Sequence, residues 1–161
     1  MKNPFIFSLS GILLFTGIMA CQMENNPAAD RTGDNTDTVT TSPAVNRVRI
    51  RIGASTFSAT LLDNPTVTAF KARLPITVSM SDLNGNEKFY NFTASLPINS
   101  SNPRSINTGD LMLYGSTTLV LFYETFSTSY SYTRLGRIEN PAGLSAALGS
   151  GNVTVTFEID G

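Results

Sequence analysis

Alternation of apolar and polar residues begins at Arg47 and marks the start of a β-rich region. Arg47–Ile52 alternates strictly, and the alternation resumes at Phe57, Ala59 and Leu61 after a short Gly53-Ala54-Ser55 break. A period of two residues puts alternate side chains on opposite faces of a strand, so we predict a hairpin with one buried face. We interpret the three arginines on the other face as a solvated surface that blocks pairing at a sheet edge. An anion site is the alternative.

A short helix follows the first hairpin. Asp63-Asn64-Pro65 supplies an N-cap and a proline for the first helical turn. Val67, Phe70 and Leu74 then recur at helical spacing. We predict that the helix ends before Pro75.

A second hairpin is predicted around Asn84-Gly85, because both residues readily adopt the positive φ that a tight hairpin turn requires. Ile76, Val78 and Met80 alternate before this turn, and the run 89–92 follows it. The oxygen-rich run 82–87 also resembles a calcium loop. Its glycine is at the fourth rather than the sixth position, however, and no acidic residue stands at the twelfth. We therefore prefer the turn.

The rest of the chain predicts further short strands separated by polar segments. These are a long loop at 96–110, apolar runs at 111–114 and 119–123, an irregular segment at 126–134, a helix opened by Asn140-Pro141 and closed by Gly149, and a last strand at 153–157. Seven or eight short strands with two short helices predict a mainly β fold. Helical pieces that cap open ends favour a barrel over a sandwich.

The first residues have the features of an export signal. Lys2 precedes an apolar stretch at 5–19, which is too short and interrupted for a membrane span of roughly 20 apolar residues. Ala20 stands directly before the sole cysteine, Cys21, and this arrangement resembles the lipobox of bacterial lipoproteins. We predict a signal peptide over 1–20 and acylation of Cys21, with an ordinary secretory signal and a chance cysteine as the alternative.

A polar segment at 21–46 separates the signal from the β-rich region. It has no aromatic residue and is rich in Asn, Asp, Thr, Ala and Pro. Such a composition does not bury enough apolar surface to offset the entropy of ordering, so we predict a flexible tether. Asp37-Thr38-Val39 matches a short O-glycosylation pattern of some Gram-negative periplasmic proteins, which makes Thr38 a candidate site. The predicted globular domain is 47–161.

Composition excludes several classes of chemistry. The 161 residues include one cysteine and no histidine, so neither a Ser-His-Asp triad nor a histidine-ligated zinc site is possible. The formal net charge is −1, with no basic block to contact nucleic acid. The spacing of the domain carboxylates indicates no facing pair. We interpret Asp110 as a turn-stabilising side chain. No metal and no cofactor are expected.

Five short strings carry a family resemblance. They are Leu62-Asp63-Asn64-Pro65-Thr66, Leu74-Pro75, Leu83-Asn84-Gly85-Asn86-Glu87, Gly109-Asp110-Leu111-Met112-Leu113-Tyr114 and Leu135-Gly136-Arg137-Ile138. In this order and spacing the chain resembles the bacterial cyclophilin-like domain family over nearly all of 47–157. The resemblance implies a closed eight-stranded antiparallel β-barrel with a short helix capping each opening.

The resemblance does not imply prolyl isomerase activity. Cyclophilins hold an arginine, a glutamine, a histidine and apolar residues in one groove, where the guanidinium hydrogen-bonds the prolyl nitrogen. In place of their Phe-His-Arg and Phe-Met-x-Gln-Gly-Gly-Asp motifs, this chain has Phe89-Tyr90-Asn91-Phe92 and Thr108-Gly109-Asp110. Only Gly109-Asp110 matches. Arg134 is the nearest arginine candidate.

An aromatic set with one arginine is the candidate ligand site, since Tyr and Arg combine apolar area with directional hydrogen bonds. For Phe126, Tyr130 and Tyr132 in a polar segment, the binding and core interpretations are about even. For the other aromatic residues we favour the core. The candidate residues are Tyr90, Phe92, Phe126, Tyr130, Tyr132 and Arg134.

We therefore expect a lipid-anchored, non-catalytic module in a Gram-negative cell envelope, on the outer membrane. It would bind a peptide or small ligand through the loops 96–110 and 126–134. A weak or divergent prolyl isomerase and an envelope structural protein without a ligand are the alternatives. The pattern does not indicate an oligomeric state.

Overall fold

A computed structural model describes residues 46–160 of the chain. The predicted signal peptide, Cys21, Thr38 and all of the predicted tether except Asn46 lie outside the described residues. Asn46 is joined to the domain, because its carbonyl accepts a hydrogen bond from the amide of Leu61. Its side-chain Oδ1 accepts another from Nζ of Lys71 at 3.0 Å.

The domain contains ten strands and two short helices within residues 46–160. They are β1 (Arg47–Ile52), β2 (Ser55–Leu61), α1 (Pro65–Lys71), β3 (Ile76–Leu83), β4 (Glu87–Asn91), β5 (Ser105–Ile106), β6 (Asp110–Tyr114), β7 (Thr118–Phe122), β8 (Phe126–Ser127), β9 (Thr133–Ile138), α2 (Leu144–Leu148) and β10 (Val153–Ile159).

Eight of the strands close into an antiparallel barrel in the order β1-β10-β3-β4-β7-β6-β9-β2. This confirms the predicted barrel. The remaining strands, β5 and β8, form a separate two-stranded sheet in which Ser105 pairs with Ser127 and Ile106 with Phe126. Both belong to segments that the sequence analysis treated as irregular.

Closure of the barrel corrects the interpretation of the N-terminal arginines. Strand β1 pairs with β2 on one side and with β10 on the other, so it is not an edge strand. Its arginines instead face carboxylates on neighbouring segments. Arg47 lies 2.7 Å from Oε2 of Glu139, and Arg49 bonds Asp160. Exposed pairs of this kind contribute little stability each, about 0 to 1 kcal/mol.

Helix α1 begins as predicted. The side chain of Asn64 accepts a hydrogen bond from the amide of Val67 at 2.9 Å, which satisfies one of the free amides of the first turn. The helix ends at Lys71, before Leu74. Its buried face carries Val67 and Phe70, and Phe70 packs edge-on against Phe157 with 5.9 Å between ring centroids.

Helix α2 begins three residues later than its predicted start. Asn140-Pro141 instead forms a turn, in which Oδ1 of Asn140 accepts from the amide of Ala142. The carbonyl of Pro141 then accepts from the amide of Leu144. The helix ends at Leu148 with Gly149 as its C-cap, which confirms Gly149 as the closing residue, and it buries its two leucines in the barrel core.

The predicted tight turn joins β3 to β4. Asn84 and Gly85 both have positive φ, 56° and 66°. Their conformation allows β4 to return directly beside β3, with Leu83 opposite Glu87. This turn lies at one rim of the candidate site.

No helix within residues 46–160 is long and apolar enough to cross a membrane.

Candidate functional site

Strand β4 supplies side chains to both faces of the barrel wall. Lys88 and Tyr90 point into the interior, where Tyr90 packs against the main core. Glu87, Phe89 and Asn91 alternate with them and face outward, where all three line one depression. One strand thus contributes side chains both to the interior of the barrel and to a depression on its surface.

A second hydrophobic cluster lies on the outer face of the barrel, separate from the main core. Outward side chains of β6 and β7 form its base, and the β5–β8 sheet and the segment after β8 contribute the rest. Its buried members are Ile106, Met112, Val120, Phe122 and Tyr132, with Phe89 and Phe126 partly buried against them. The β5–β8 sheet and the following segment 128–132 therefore pack against the barrel wall, and together we call them the flap.

The space between this flap and the wall is a groove of about 550 Å³, which we call the outer groove. Residues of the β3–β4 turn, of strands β4, β6 and β7, and of the segment 126–132 line it. They are Leu83, Asn84, Asn86, Glu87, Phe89, Asn91, Tyr114, Thr118, Val120, Phe126, Ser127, Thr128, Ser129, Tyr130 and Tyr132.

Aromatic rings form a continuous series along the groove. Phe122 lies beneath it, with its ring centroid 5.7 Å from Phe126 and 5.5 Å from Tyr132. Tyr114 lies 5.6 Å from Tyr132 and 6.1 Å from Tyr130, and its plane is almost perpendicular to that of Tyr130. Edge and tilted packing of this kind is favourable for aromatic pairs. Tyr114 and Tyr130 remain largely exposed.

Glu87 is the one charged residue among those that line the groove in the described part of the chain. Its backbone pairs with that of Phe122, the ring that links Phe126 to Tyr132. Burial, and then the charge of Asp82, raise the pKa of the Glu87 carboxyl. Burial also raises the pKa of the Tyr132 phenol, and the nearby Glu87 charge adds to that shift.

Three of the predicted site residues are brought together here. Phe126, Tyr130 and Tyr132 all line the outer groove. They differ in exposure: Tyr130 is 61% exposed, whereas Tyr132 is only 6% exposed and serves as part of the wall. The segment 126–132 is thus both packed core and accessible surface.

The other three predicted residues lie elsewhere. Tyr90 and Phe92 contact each other at 5.3 Å between centroids and belong to the interior core, because they share the inward face of β4 and its extension. Arg73 lies over the Phe92 ring at 4.5 Å. Arg134 is exposed on β9 and does not line the groove, although its carbonyl accepts a hydrogen bond from Asn64.

Glu87 and Tyr114 were not among the site residues predicted from the sequence. Alternation along β4 contained the signal for Glu87, since it shares a face with Phe89 and is opposite in phase to the inward-facing Tyr90. Phe122 is one of the other aromatic residues for which a core position was expected, and it is fully buried. In the structure the flap covers it, through Phe126.

Behind the groove, the barrel interior holds a buried lysine. Lys88 is 0% exposed, and its Nζ donates to Oδ2 of Asp82 at 2.6 Å and to the carbonyls of Gly149 and Gly151 at 2.8 and 2.7 Å. The hydroxyl of Tyr123 donates to the same Asp82 oxygen at 2.6 Å. All of these groups are satisfied by one another, which indicates a structural role.

Asp110 takes part in a turn. Its Oδ2 accepts a hydrogen bond from the amide of Asn107 at 2.8 Å, and its Oδ1 lies 3.6 Å from Nε of Arg137. Across residues 46–160 no group of three or more Cys, Asp or Glu side chains is arranged to hold a metal ion. Among the residues that line it, the outer groove presents rings, amides and hydroxyls with a single carboxylate.

Comparison with known proteins bears on the fold. The sequence model of the Cyclophilin-like family matches residues 50–158. The solution structure of the hypothetical protein AF2241 from Archaeoglobus fulgidus is similar to this chain, with 20% identity and a TM-score of 0.56. The alignment covers 72% of this chain and 95% of that one, and at this identity it shows a shared fold alone. No curated protein matches the chain.

Proposed function

This chain belongs to the Cyclophilin-like family, and from that premise we propose that its barrel is a binding module whose outer groove takes a small organic ligand or a short peptide segment. The groove acts by contact and makes no covalent bond. The observation that carries the proposal is the combination, in one depression, of accessible aromatic rings with a half-buried carboxylate.

The dimensions and lining of the groove support this proposal. Ligand sites in proteins are commonly clefts of roughly 300 to 1,000 Å³ with apolar walls and a few polar groups that orient the ligand. The outer groove has a volume of about 550 Å³. Its walls are aromatic or apolar at Phe89, Val120 and Phe126, and its rim carries the hydroxyl and amide groups of Thr128 and Asn84.

The exposure of Tyr130 also supports binding. A purely structural flap would gain stability by burying its rings, as Tyr132 does. Tyr130 is instead 61% exposed, with its ring edge-on to Tyr114, itself 47% exposed. Large amphipathic rings that are held in place and left accessible are the side chains that contribute most to binding sites.

Amide chemical-shift mapping tests the proposal. The isotope-labelled protein is titrated with a mixed set of aromatic, aliphatic, sugar and prolyl-peptide fragments. We expect at least one fragment class to shift the amides of Asn86 and the segment 127–130. Tyr130→Ala should weaken that binding. Ile98→Ala, at a position 58% exposed and outside the groove, should leave it unchanged. Shifts scattered over the barrel, or none, would contradict the proposal.

We further propose that the full chain is a lipoprotein of a Gram-negative envelope, anchored to the outer membrane through Cys21. The support is sequence: Lys2, the apolar run 5–19 and Ala20 directly before the sole cysteine. Growth of expressing cells with an alkyne-tagged fatty acid should label the wild-type chain and place it in the membrane fraction. Cys21→Ser should be unlabelled and soluble, and equal labelling of both chains would overturn the anchor.

A further inference from the structure

The charge of the groove narrows the ligand class. We infer that the outer groove selects an organic cation, a protonated amine carried on an apolar body, with the ammonium near Glu87 and the body against the tyrosine rings. This inference rests on the proposed binding function and adds the ligand's charge to it. Three features of the described residues support it.

The first feature is the state of Glu87. Its carboxylate is half-buried in the groove wall, yet within residues 46–160 it has neither an ion-pair partner nor a hydrogen bond. The neighbouring Asp82 is different, because Lys88 and Tyr123 already bind it. Partial burial without a partner destabilises the ionised form of a carboxylate, and a cation would remove that cost.

The second feature is the ring cluster beside Glu87. Because Glu87 and Phe122 are opposite one another in the β4–β7 pairing, the carboxylate adjoins the rings that Phe122 connects. A cation is attracted to the face of an aromatic ring at up to about 6 Å from its centroid. Tyr114, which lies opposite Thr118 in the β6–β7 pairing, and Tyr130 continue the series of rings farther along the groove, where their perpendicular planes form two adjoining walls for the apolar body of the ligand.

The third feature is an unused acceptor. Oδ1 of Asn86, the residue before Glu87, is buried and has no hydrogen-bond partner within the described part of the chain. Asn86 lines the same groove. Because this oxygen is buried, a protonated primary amine bonds it only after the Asn86 side chain turns into the groove, and the three donors of the amine then serve the Glu87 carboxylate and the amide oxygen together. The unused acceptor therefore favours an amine with N–H groups over a quaternary ammonium ion.

The charges that surround the groove agree with this selection. Three basic residues lie close to the lining. Lys88 is turned into the barrel and bound to Asp82. Arg104, whose carbonyl accepts a hydrogen bond from the amide of Thr128, and Arg134 are not among the residues that line the groove. An anionic ligand would therefore meet the Glu87 carboxylate without a compensating cation among the lining residues of the described chain.

Three ligands of nearly equal shape test the inference. Benzylamine, benzyl alcohol and benzoate are titrated separately into the isotope-labelled protein at about pH 7.5, where the first is a cation and the last an anion. We expect benzylamine to bind at least about tenfold more tightly than benzyl alcohol, as a charge-assisted hydrogen bond with ring contacts predicts, and benzoate to bind most weakly.

Two pairs of variants assign the preference to the groove. Glu87→Gln should bring benzylamine to the affinity of benzyl alcohol, whereas Glu124→Gln, an equal charge change at an exposed residue outside the lining, should keep the preference. Tyr130→Leu should weaken benzylamine binding about threefold or more, whereas Tyr130→Phe, which keeps the ring face, should not. Both groove positions are accessible, and an unchanged amide spectrum verifies folding.

The outcomes separate this inference from the proposed function. Equal binding of benzylamine and benzyl alcohol, or tighter binding of benzoate, would overturn the cation and leave the groove as a binding site. The same holds if none of the three binds while a neutral fragment from the mixed set shifts the groove amides. If no compound of either set shifts them, both the inference and the proposed function fail.

Discussion

Lys88 is fully buried, yet its ammonium lies 2.6 Å from a carboxylate oxygen of Asp82 across the β3–β4 pair. The same ammonium also donates to two carbonyls that follow α2. One side chain thereby ties together the hairpin that bears the groove rim and the segment that leads into β10. Because the groove-lining Glu87 precedes Lys88 directly, this contact also positions the outer site.

Removal of the ammonium should be costly. We expect Lys88→Met, which keeps the length of the side chain, to lower the free energy of unfolding by about 3 kcal/mol. This is the lower end of the range for breaking a buried ion pair, because Asp82 stays partly exposed. Lys71→Met is the matched control: within residues 46–160 the Lys71 ammonium bonds only Oδ1 of Asn46, and its loss should cost less than about 1 kcal/mol. Urea unfolding measures both, and equal losses would contradict a special role for Lys88.

At acidic pH, Asp82 and Glu87 should change the free energy of unfolding in opposite directions. Hydrogen bonds from Lys88 and then Tyr123 lower the pKa of Asp82 below its usual 3.8, so its contribution is present above that pH and lost as pH falls through the folded value. The pKa of Glu87 is raised from 4.5, so its contribution is present at low pH and lost as pH rises.

These signs predict two distinct pH profiles. Asp82→Asn should be less stable than wild type at neutral pH and approach it below about pH 4, whereas Glu87→Gln should be more stable at neutral pH and lose that advantage in acid. Urea midpoints at a series of pH values measure the differences. Parallel profiles for the two variants would contradict the assignment.

The loss of folding stability at alkaline pH should involve Tyr123. Burial, and then its hydrogen bond to Asp82, raise the pKa of the phenol to about 12. The contribution of Tyr123 is therefore complete below the unfolded pKa of about 10 and is lost as pH rises from there through about 12. Tyr123→Phe should remove that part of the pH dependence, as measured by unfolding and by tyrosinate absorbance. An unchanged loss of stability at alkaline pH in the variant would overturn the prediction.

Gly136 should not tolerate a side chain. A Cβ at this position would lie 2.3 Å from the backbone oxygen of Thr60 and 2.9 Å from Cα of Leu61, in the β2–β9 pairing. We expect Gly136→Ala to cost about 3 kcal/mol through displacement of backbone. Gly53→Ala is the control, with positive φ but open space, and should cost about 1 kcal/mol. Thermal unfolding of both measures the difference, and an equal or smaller loss for Gly136→Ala would contradict the packing argument.

We expect the outer groove not to accelerate prolyl isomerisation. A cyclophilin-type mechanism needs a guanidinium directed at the prolyl nitrogen, and no arginine lines the outer groove among residues 46–160. NMR exchange spectroscopy on a proline peptide, with and without the domain, measures the rate directly. A rate enhancement that is lost on Tyr130→Ala would place isomerase activity in the groove and revive that alternative.

Local chemistry accounts for the elements that sequence analysis predicted well. The Asn64 cap, the Asn84-Gly85 turn and the alternation in β1 depend on neighbours within a few residues, and all three are present in the structure. The two strands β5 and β8 were missed because each has only two residues. Pairing between segments about twenty residues apart leaves no periodic signal in so short a run.

The candidate site divides in the same way, between features that the sequence predicts and features that packing decides. The chain by itself determined the strand periodicity, the Asn84-Gly85 turn and the exclusion of histidine chemistry, and it left the binding and core interpretations about even for Phe126, Tyr130 and Tyr132. In the structure all three line the groove. Tertiary structure alone decided that Tyr90 and Phe92 face inward, that Arg134 lies outside the lining and that Glu87 adjoins the rings. The reason is physical: alternation shows which residues share a face, but only closure of the barrel and packing of the flap decide which face is inside and what covers the other.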